Sequence, residues 1–441
     1  MMSRRYISSF WPESDGSTLT LDFTTGVLDS RLSFTRASTT ATYINSSGYV
    51  TTAGTNVPRF DHDPTTLAPR GLLIEGQSVN SVNWSESFAT SGSGTLWNYN
   101  TYVTRNATQI TGPDGSTSAY QFNETADNQI HRISTAATGS AGAISISVWA
   151  KVLDTNTPRR LYVNAVNYMG AGALFDLDPA VQTGASGSAV ATSGTAANRA
   201  GTWVKYPNNW YRVTLVGTYV TNQTIYLQIN RASSTTATDD TFAGSTSNGL
   251  ALWGCQVEQG SGASSYIPTS ASQGTRNADE CSMTGTNFSS WFTGITTGYS
   301  MLWSCSPQSR QSGSFPPMVC IRGPSDSGSR SYYYNDGTYN TAHRTSNGTT
   351  ASEAFGPNSL TYGVARKFAI SVTNGSQLVS SNGATANSNT QAITSFNQTI
   401  IGFGNDAGSP LGALTGRQHF QSFKFWPTAL PQATLNSLTT L

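Results

Sequence analysis

Short runs in which apolar and polar residues alternate recur along this 441-residue chain, and they are bounded by Gly, Asn, Asp and Ser. Alternation over four to eight residues is typical of antiparallel strands that bury one face, whereas parallel sheets need helices between their strands. The sequence therefore predicts an all-β fold of antiparallel β-sandwiches. Clear examples are residues 19–23, 144–149, 213–216, 225–229 and 368–372.

The low charge content excludes several other classes. Charged residues make up 11% of the chain, against about 25% in an average soluble protein, and the net charge is +1. Helix bundles and coiled coils need more Glu and Lys than this, and nucleic-acid or membrane-surface binding needs basic clusters. No apolar run is long enough for a membrane-spanning helix, and residues 1–16 lack the apolar core of a secretory signal. We therefore expect no nucleic-acid partner and no membrane insertion.

Three segments differ in composition. Residues 1–88 carry most of the Asp-Pro and Pro-Arg pairs and few long strand patterns, which indicates an extended N-terminal segment. Residues 89–275 begin with a Gly/Ser stretch and contain at least six strand patterns, and residues 276–441 contain a second series. We expect two β-sandwich (jelly-roll) domains after the extended segment, with one short helix at residues 431–441. The four cysteines lack zinc-ligand spacing, so we expect buried thiols.

A specific pattern lies in the first segment. Residues 22–38 read D-F-x-x-G-x-L-D-x-R-x-x-F-x-R-A-S, and the match continues to Glu75 with a fixed spacing of Arg36, Arg59, Asp61 and Gly71. This stretch resembles tailed-bacteriophage fibre and head-spike structural proteins. Residues 112–115, 146–151, 210–213, 252–258 and 265–269 resemble the jelly-roll carbohydrate-binding modules of such proteins, and residues 412–426 resemble a concanavalin A-like (laminin-G-like) domain.

The resemblance implies a component of the virion, made in the host cytoplasm and released by lysis. It implies that residues 1–88 attach the chain to other virion proteins, that residues 89–275 and 276–441 are the two lectin-like domains, and that host-surface glycan is the ligand. Fibres project from symmetric sites and single lectin domains bind weakly, so we expect a homo-oligomer, a trimer in the first instance, while the sequence does not select three copies over two or six. Whether it attaches to head or tail stays open.

Catalytic chemistry finds little support in the sequence. Glycan hydrolysis needs two carboxylates that face one sugar bond, and the pairs Asp61/Asp63 and Asp176/Asp178 read more simply as strand ends and turn starts. The four histidines stand in no nucleophile motif. No cofactor is expected, although Asp239 and Asp240 could ligate Ca²⁺, with a solvated loop as the alternative.

Aromatic residues are the remaining candidates for binding, because the apolar faces of sugars stack on Trp and Tyr rings. Two clusters are candidate glycan contacts, with sheet packing as the alternative: Trp97, Tyr99 and Tyr102, and Tyr332, Tyr333 and Tyr334. The favoured hypothesis is a non-enzymatic fibre or spike that adsorbs to host glycan or decorates the capsid. The alternatives are a tailspike depolymerase that hydrolyses surface polysaccharide and a secreted bacterial glycan-binding protein.

Overall fold

The computed structural model describes most of the chain in an all-β, antiparallel arrangement. This confirms the predicted fold class. Within these residues no helix is both long and apolar enough to cross a membrane. The described residues are 15–90, 97–99, 102–138, 141–166, 171–219, 223–309, 317–323, 327–333, 341–347, 351–355, 363–385, 388–390, 392–393, 396–404 and 417–440.

The first segment forms short strands, as its sparse alternation predicts, and a 3-10 turn at Phe23–Thr25 follows the first of them. Its strands are β1 (Leu19–Asp22), β2 (Ser33–Thr35), β3 (Ala41–Ile44), β4 (Val50–Ala53), β5 (Arg59–His62), β6 (Pro69–Ile74) and β7 (Ser78–Asn80).

The middle segment folds into a sandwich of a seven-stranded and a six-stranded sheet. Its strands are β8 (Asn98–Tyr99), β9 (Val103–Thr111), β10 (Thr117–Glu124), β11 (Asn128–Gln129), β12 (His131–Ala137), β13 (Gly142–Val152), β14 (Arg159–Val166), β15 (Ala171–Asp176), β16 (Ser186–Ser188), β17 (Ala191–Gly194), β18 (Ala197–Tyr206), β19 (Trp210–Tyr219), β20 (Gln223–Arg231), β21 (Phe242–Ala243) and β22 (Gly249–Gln259). The sheet orders are β16-β18-β19-β13-β22-β10-β9 and β17-β15-β14-β20-β12-β8.

The last segment builds a second sandwich together with strands from the first. Its elements are β23 (Gly274–Arg276), β24 (Glu280–Thr284), α1 (Gly285–Ser289), β25 (Gly298–Ser309), β26 (Pro317–Arg322), β27 (Ser327–Tyr333), β28 (Thr341–Asn347), β29 (Ala351–Phe355), β30 (Arg366–Thr373), β31 (Ser376–Ser381), β32 (Ala384–Thr385), β33 (Ile400–Phe403), β34 (Arg417–Trp426) and α2 (Gln432–Thr439). The sheet orders are β32-β31-β30-β25-β34-β6-β5, with β1 also paired to β34, and β2-β24-β33-β26-β27-β28-β29. Helix α2 lies where the sequence predicts it.

The first segment is predicted to be an extended arm or a small lobe, and its strands pair with those of the second sandwich. Strands β1 and β6 both pair with β34, and β2 pairs with β24. The reason is that the alternating apolar residues of these strands need a buried face, which the second sandwich provides: Leu19, Leu21, Leu72 and Ile74 belong to its core. Domain independence with boundaries at residues 88 and 275 stays a prediction, as does the attachment role.

Gly71 allows the close approach of β6 to β34. Its φ of 92° lies in the left-handed region, and a Cβ at this position would collide with the main-chain carbonyl of Phe420. Any other residue would therefore push the two strands apart. This explains why a glycine occupies one of the fixed positions of the N-terminal pattern.

Two main apolar cores fill the sandwiches, and the four cysteines are buried, as predicted. A third apolar cluster lies between the β3–β4 hairpin and the outer face of the middle sandwich. It joins Ile44 and Val50 to Trp149, Trp253 and Tyr266, and the indole of Trp149 makes edge contacts with Tyr206, Trp253 and Tyr266. The first segment therefore contacts both sandwiches.

We expect a chain cut within residues 91–94 to hold together. After cleavage at a protease site inserted there, residues 1–90 should co-elute with the remainder in gel filtration, because β1 and β6 remain paired with β34. Denaturant should separate the two pieces, and the uncut protein with the same insertion is the control. Loss of the N-terminal piece from a still-folded remainder would contradict this pairing.

Candidate functional site

Trp97 is a core residue, and its prediction as a glycan contact is wrong. Its side chain is 1% exposed, its indole N–H donates to the Asn83 carbonyl at 3.2 Å, and its ring packs on Phe88. Tyr99 lies on the same face of β8, partly buried against Phe122, and its hydroxyl donates to the Phe88 carbonyl. Burial raises the pKa of Tyr99 to about 12. The alternation at residues 97–99 was real, but it marks the inner face of the sheet.

The remaining aromatic candidates are Tyr102 and the tyrosines of residues 332–334. Tyr102 is half-buried, and its main-chain carbonyl accepts from the Thr125 N–H at 3.0 Å. Tyr332 and Tyr333 are the last residues of strand β27, as the predicted strand requires, whereas Tyr334 and the predicted turn lie outside the described residues. Their role as glycan contacts stays a prediction.

The Ca²⁺ candidates are held by arginines. Asp240 pairs with the Arg231 guanidinium at 2.8 Å and accepts from the Arg231 N–H and the Ser234 hydroxyl. Asp239 lies 3.7 Å from Arg132. In the part of the chain that the structure describes, no three His, Cys, Asp or Glu side chains converge as metal ligands. The two carboxylates thus do not fit a Ca²⁺ site.

The Asp pairs do not converge either. Asp63 accepts from the N–H groups of Thr65 and Thr66, which is the turn start that the sequence suggests, whereas Asp61 is buried beside His419. In the second pair, Asp176 binds Arg160 at 2.8 Å, and Asp178 accepts from the Ala180 N–H.

The pattern residues of the first segment instead meet in one buried ionic cluster. Glu75 and Asp279 are its two carboxylates, and neither residue exposes any surface. Four arginines surround them, of which Arg417 alone is partly exposed: Arg36, Arg59, Arg276 and Arg417. We call these six residues the buried hub.

Each carboxylate of the hub bridges distant parts of the chain. Glu75 contacts Arg59 at 2.7 Å, Arg276 at 3.2 Å and Arg417 at 3.1 Å, and it also accepts from the Ser265 hydroxyl and N–H. Asp279 binds Arg36 at 3.0 Å, binds the second nitrogen of Arg59, and accepts from the Glu75 N–H. The first segment, the end of the middle segment and the last segment therefore meet at this point.

The electrostatics of the hub follow from this crowding. Burial by itself raises the pKa of the Glu75 carboxyl, but Arg276, Arg59 and Arg417 outweigh that effect and hold its pKa well below the usual value. A buried carboxylate contributes to stability only while its partners are in place, because removal of one member leaves uncompensated charge.

We expect Glu75→Gln to lower the free energy of unfolding by about 3–5 kcal/mol at pH 7. The pKa of Glu75 is lowered in the folded state, so its contribution is present above the usual value of 4.5 and is lost as the pH falls below it. The difference in the free energy of unfolding between wild type and Glu75→Gln should therefore become smaller as the pH falls from 5 to 3, as measured by urea denaturation.

The matched control is Asp63→Asn, which removes a carboxylate from a half-buried pair with Arg70 that water reaches. The loss in the free energy of unfolding should stay within about 1 kcal/mol, because water screens such a pair. Equal effects of the two variants at pH 7 would contradict the structural role of the hub.

A small pocket opens beside the hub, at the junction of all three segments. It has an empty volume of about 380 Å³, and only a small part of that space is wide enough for a water molecule. Tyr43, Arg70 and Arg417 are half-buried and mark its mouth, whereas its floor is buried. Its polar and aromatic lining comprises Thr42, Tyr43, Asp61, Arg70, Trp149, Tyr206, Arg212, Ser265, Tyr266 and Arg417.

Asp61 is the carboxylate on the wall of this pocket, and both of its oxygens have partners. One accepts from the Ile44 N–H, and the other lies 2.8 Å from Nε2 of His419. Burial by itself raises the pKa of Asp61. The hydrogen bonds with His419 and the Ile44 N–H lower it by more, so the pKa of Asp61 lies below the usual value. The Ser265 hydroxyl donates to Glu75, so these groups do not form a nucleophile–base–acid chain.

Sequence reasoning missed the lining of the pocket apart from Asp61, and Arg212 is the most informative of the missed residues. It is 9% exposed, one of its terminal nitrogens donates to the Ser147 hydroxyl at 3.0 Å, and its guanidinium stacks on Trp149 at 4.4 Å. Burial lowers the pKa of Arg212. The available signal was a charged residue inside the otherwise apolar strand sequence of residues 210–213.

The sequence matches no protein-family model and no curated protein. Among solved structures it is similar to the CBM40 of Ruminococcus gnavus IT-sialidase bound to α2,3-sialyllactose, with 12% identity and a TM-score of 0.28 over 33% of this chain and 83% of that one. It is also similar to Domain 4 of AbnA, a GH43 extracellular arabinanase from Geobacillus stearothermophilus, with 15% identity and a TM-score of 0.27 over 41% and 82%.

A third similarity, to Trypanosoma rangeli sialidase in complex with sialic acid, has 9% identity and a TM-score of 0.29 over 73% of this chain and 60% of that one. The function of the chain has to be argued from its own residues.

Proposed function

We propose that this chain is a non-catalytic component of a bacteriophage particle, a fibre or spike, that binds host-surface glycan at the pocket beside the hub. The observation that carries the proposal is the composition of this pocket. Aromatic side chains and guanidinium donors line one small concave site, and sugars are bound by aromatic faces together with hydrogen-bonding polar groups.

The resemblance of residues 22–75 to phage fibre and spike proteins supports the particle assignment. The fixed positions of that pattern coincide with structural needs of the fold, since Arg36, Arg59 and Glu75 belong to the hub and Gly71 allows the contact of β6 with β34. The virion partners, the homotrimer and the role of the first segment in attachment belong to the same proposal.

The small number of carboxylates in the pocket favours binding without cleavage over depolymerase activity. Glycoside hydrolysis commonly uses two carboxylates on opposite sides of the bond. Among the described residues that line the pocket, Asp61 is the single carboxylate, and it is engaged by His419 and the Ile44 N–H. A solvated acid opposite Asp61 would be needed for hydrolysis.

The test uses the full chain and purified host-surface polysaccharide. Wild-type protein should bind the polysaccharide, and no new reducing ends should appear after prolonged incubation. Tyr43→Ala should weaken binding about fivefold to tenfold, because it removes an aromatic contact worth about 1–1.5 kcal/mol at the mouth of the pocket. Tyr49→Ala is the matched control, since Tyr49 is half-buried next to the same hairpin but lies outside the pocket.

Two results would contradict the proposal. Release of shorter chains by wild type would support the depolymerase, which predicts that Asp61→Asn abolishes the release. Purified particles that contain no copy of this chain by mass spectrometry would remove the virion assignment, whereas a copy number divisible by three per attachment site supports the trimer.

A further inference from the structure

Two buried N–H donors on the wall of the pocket have no acceptor among the residues that the structure describes. They are Nε of Arg212 and Nε1 of Trp149, and both side chains line the pocket. Buried donors are almost always hydrogen-bonded, because an unsatisfied one costs about 1–3 kcal/mol. Both atoms are themselves closed to water, and other Arg Nε and Trp Nε1 donors of the described chain, such as Nε1 of Trp253, also lack an acceptor, so the case for a ligand rests on the charge of Arg212.

The positive charge of Arg212 indicates that the pocket accepts a negatively charged group. No carboxylate lies within 4 Å of its guanidinium in the described part of the chain, whereas each arginine of the hub has one. Glu258 and Glu75 favour its positive charge from a longer distance, whereas Arg417 opposes it. The carboxylate of Glu258 is occupied by the hydroxyl and N–H of Ser264.

The size of the pocket limits what can enter. The space wide enough for a water molecule holds a small group, and a whole sugar ring does not fit between Trp149, Tyr206 and Arg212. A planar carboxylate fits such a space and matches the donor geometry of a guanidinium. The ring that carries it would rest at the mouth, beside Tyr43 and Arg70.

We propose that this pocket binds the carboxylate group of an acidic sugar, a uronic-acid type of residue in the glycan, with Arg212 as its counter-ion. This inference rests on the proposed glycan-binding function and names the chemical class of its ligand. The ion pair forms only when the ligand enters, so Arg212 is a binding residue, while Arg417 holds the wall in place through Glu75.

The direct test measures binding of small probes to the full chain by calorimetry. Glucuronate should bind, and glucuronamide, which has the same ring without the charge, should bind at least about tenfold more weakly, because the charge-assisted hydrogen bonds are lost. Glucose 6-phosphate should also bind more weakly than glucuronate. Equal affinity for the phosphate or for the neutral amide would overturn the carboxylate assignment.

Two variants test whether Arg212 is the residue that binds the carboxylate. Arg212→Met should lose glucuronate binding by at least about tenfold, and its unfolding midpoint without ligand should equal or exceed that of wild type, since an unpaired buried charge is removed. Arg105→Met is the matched control: Arg105 also stacks on an aromatic ring, Tyr120 at 4.5 Å, but lies outside the pocket, so glucuronate binding should be unchanged.

The two proposals fail in different ways. If Arg212→Met binds host polysaccharide and glucuronate as wild type does, the acidic-sugar site is overturned while glycan binding stands. If wild type binds neither, both are overturned. If Arg212→Met does not fold, the comparison of glucuronate with glucuronamide on wild type still decides the question.

Discussion

The structure depends on two carboxylates, Glu75 and Asp279, that are buried among four arginines. Removing a carboxylate from water is costly, and the cost is offset only if every partner is held at hydrogen-bonding distance. Here the arginines come from the first and last segments, and Ser265 of the middle segment donates two further hydrogen bonds to Glu75. The hub therefore fixes how the segments join, whereas the apolar cores fix each sandwich.

The pocket is a by-product of this junction. Arg417 contacts Glu75 in the hub and also lines the pocket, and Ser265 does the same from the middle segment. Walls built from paired groups are rigid, so a ligand would meet a site that needs little reorganisation. Arg212 is the exception among the arginines here, because its guanidinium contacts the Ser147 hydroxyl and no carboxylate of the described residues. Its positive charge is therefore the one that a bound anion would neutralise.

Local sequence information predicted the strands well, because burial of one sheet face imposes a period of two residues; the runs at residues 144–149 and 368–372 lie within β13 and β30. Local sequence information did not predict contacts between residues that are far apart in the sequence. Trp97 and Tyr99 alternate as expected, but the buried face cannot be chosen without knowing that β8 pairs with β12. The hub was visible only as a spacing of Arg36, Arg59 and Glu75, since Asp279 follows some 200 residues later.

The pairing of β1 and β6 with β34 also sets when, during synthesis, the second sandwich is completed. Asp61 and His419, which face each other across this sheet, are separated by 358 residues. At ribosomal rates of about 5–20 residues per second, the early strands wait roughly 20–70 s for their partner. The middle sandwich is complete in sequence long before that, so it is able to fold while the N-terminal strands are still without β34. The second sandwich is thus completed only after β34 has been made, and a chain truncated before residue 417 leaves β1 and β6 as strand edges without that partner.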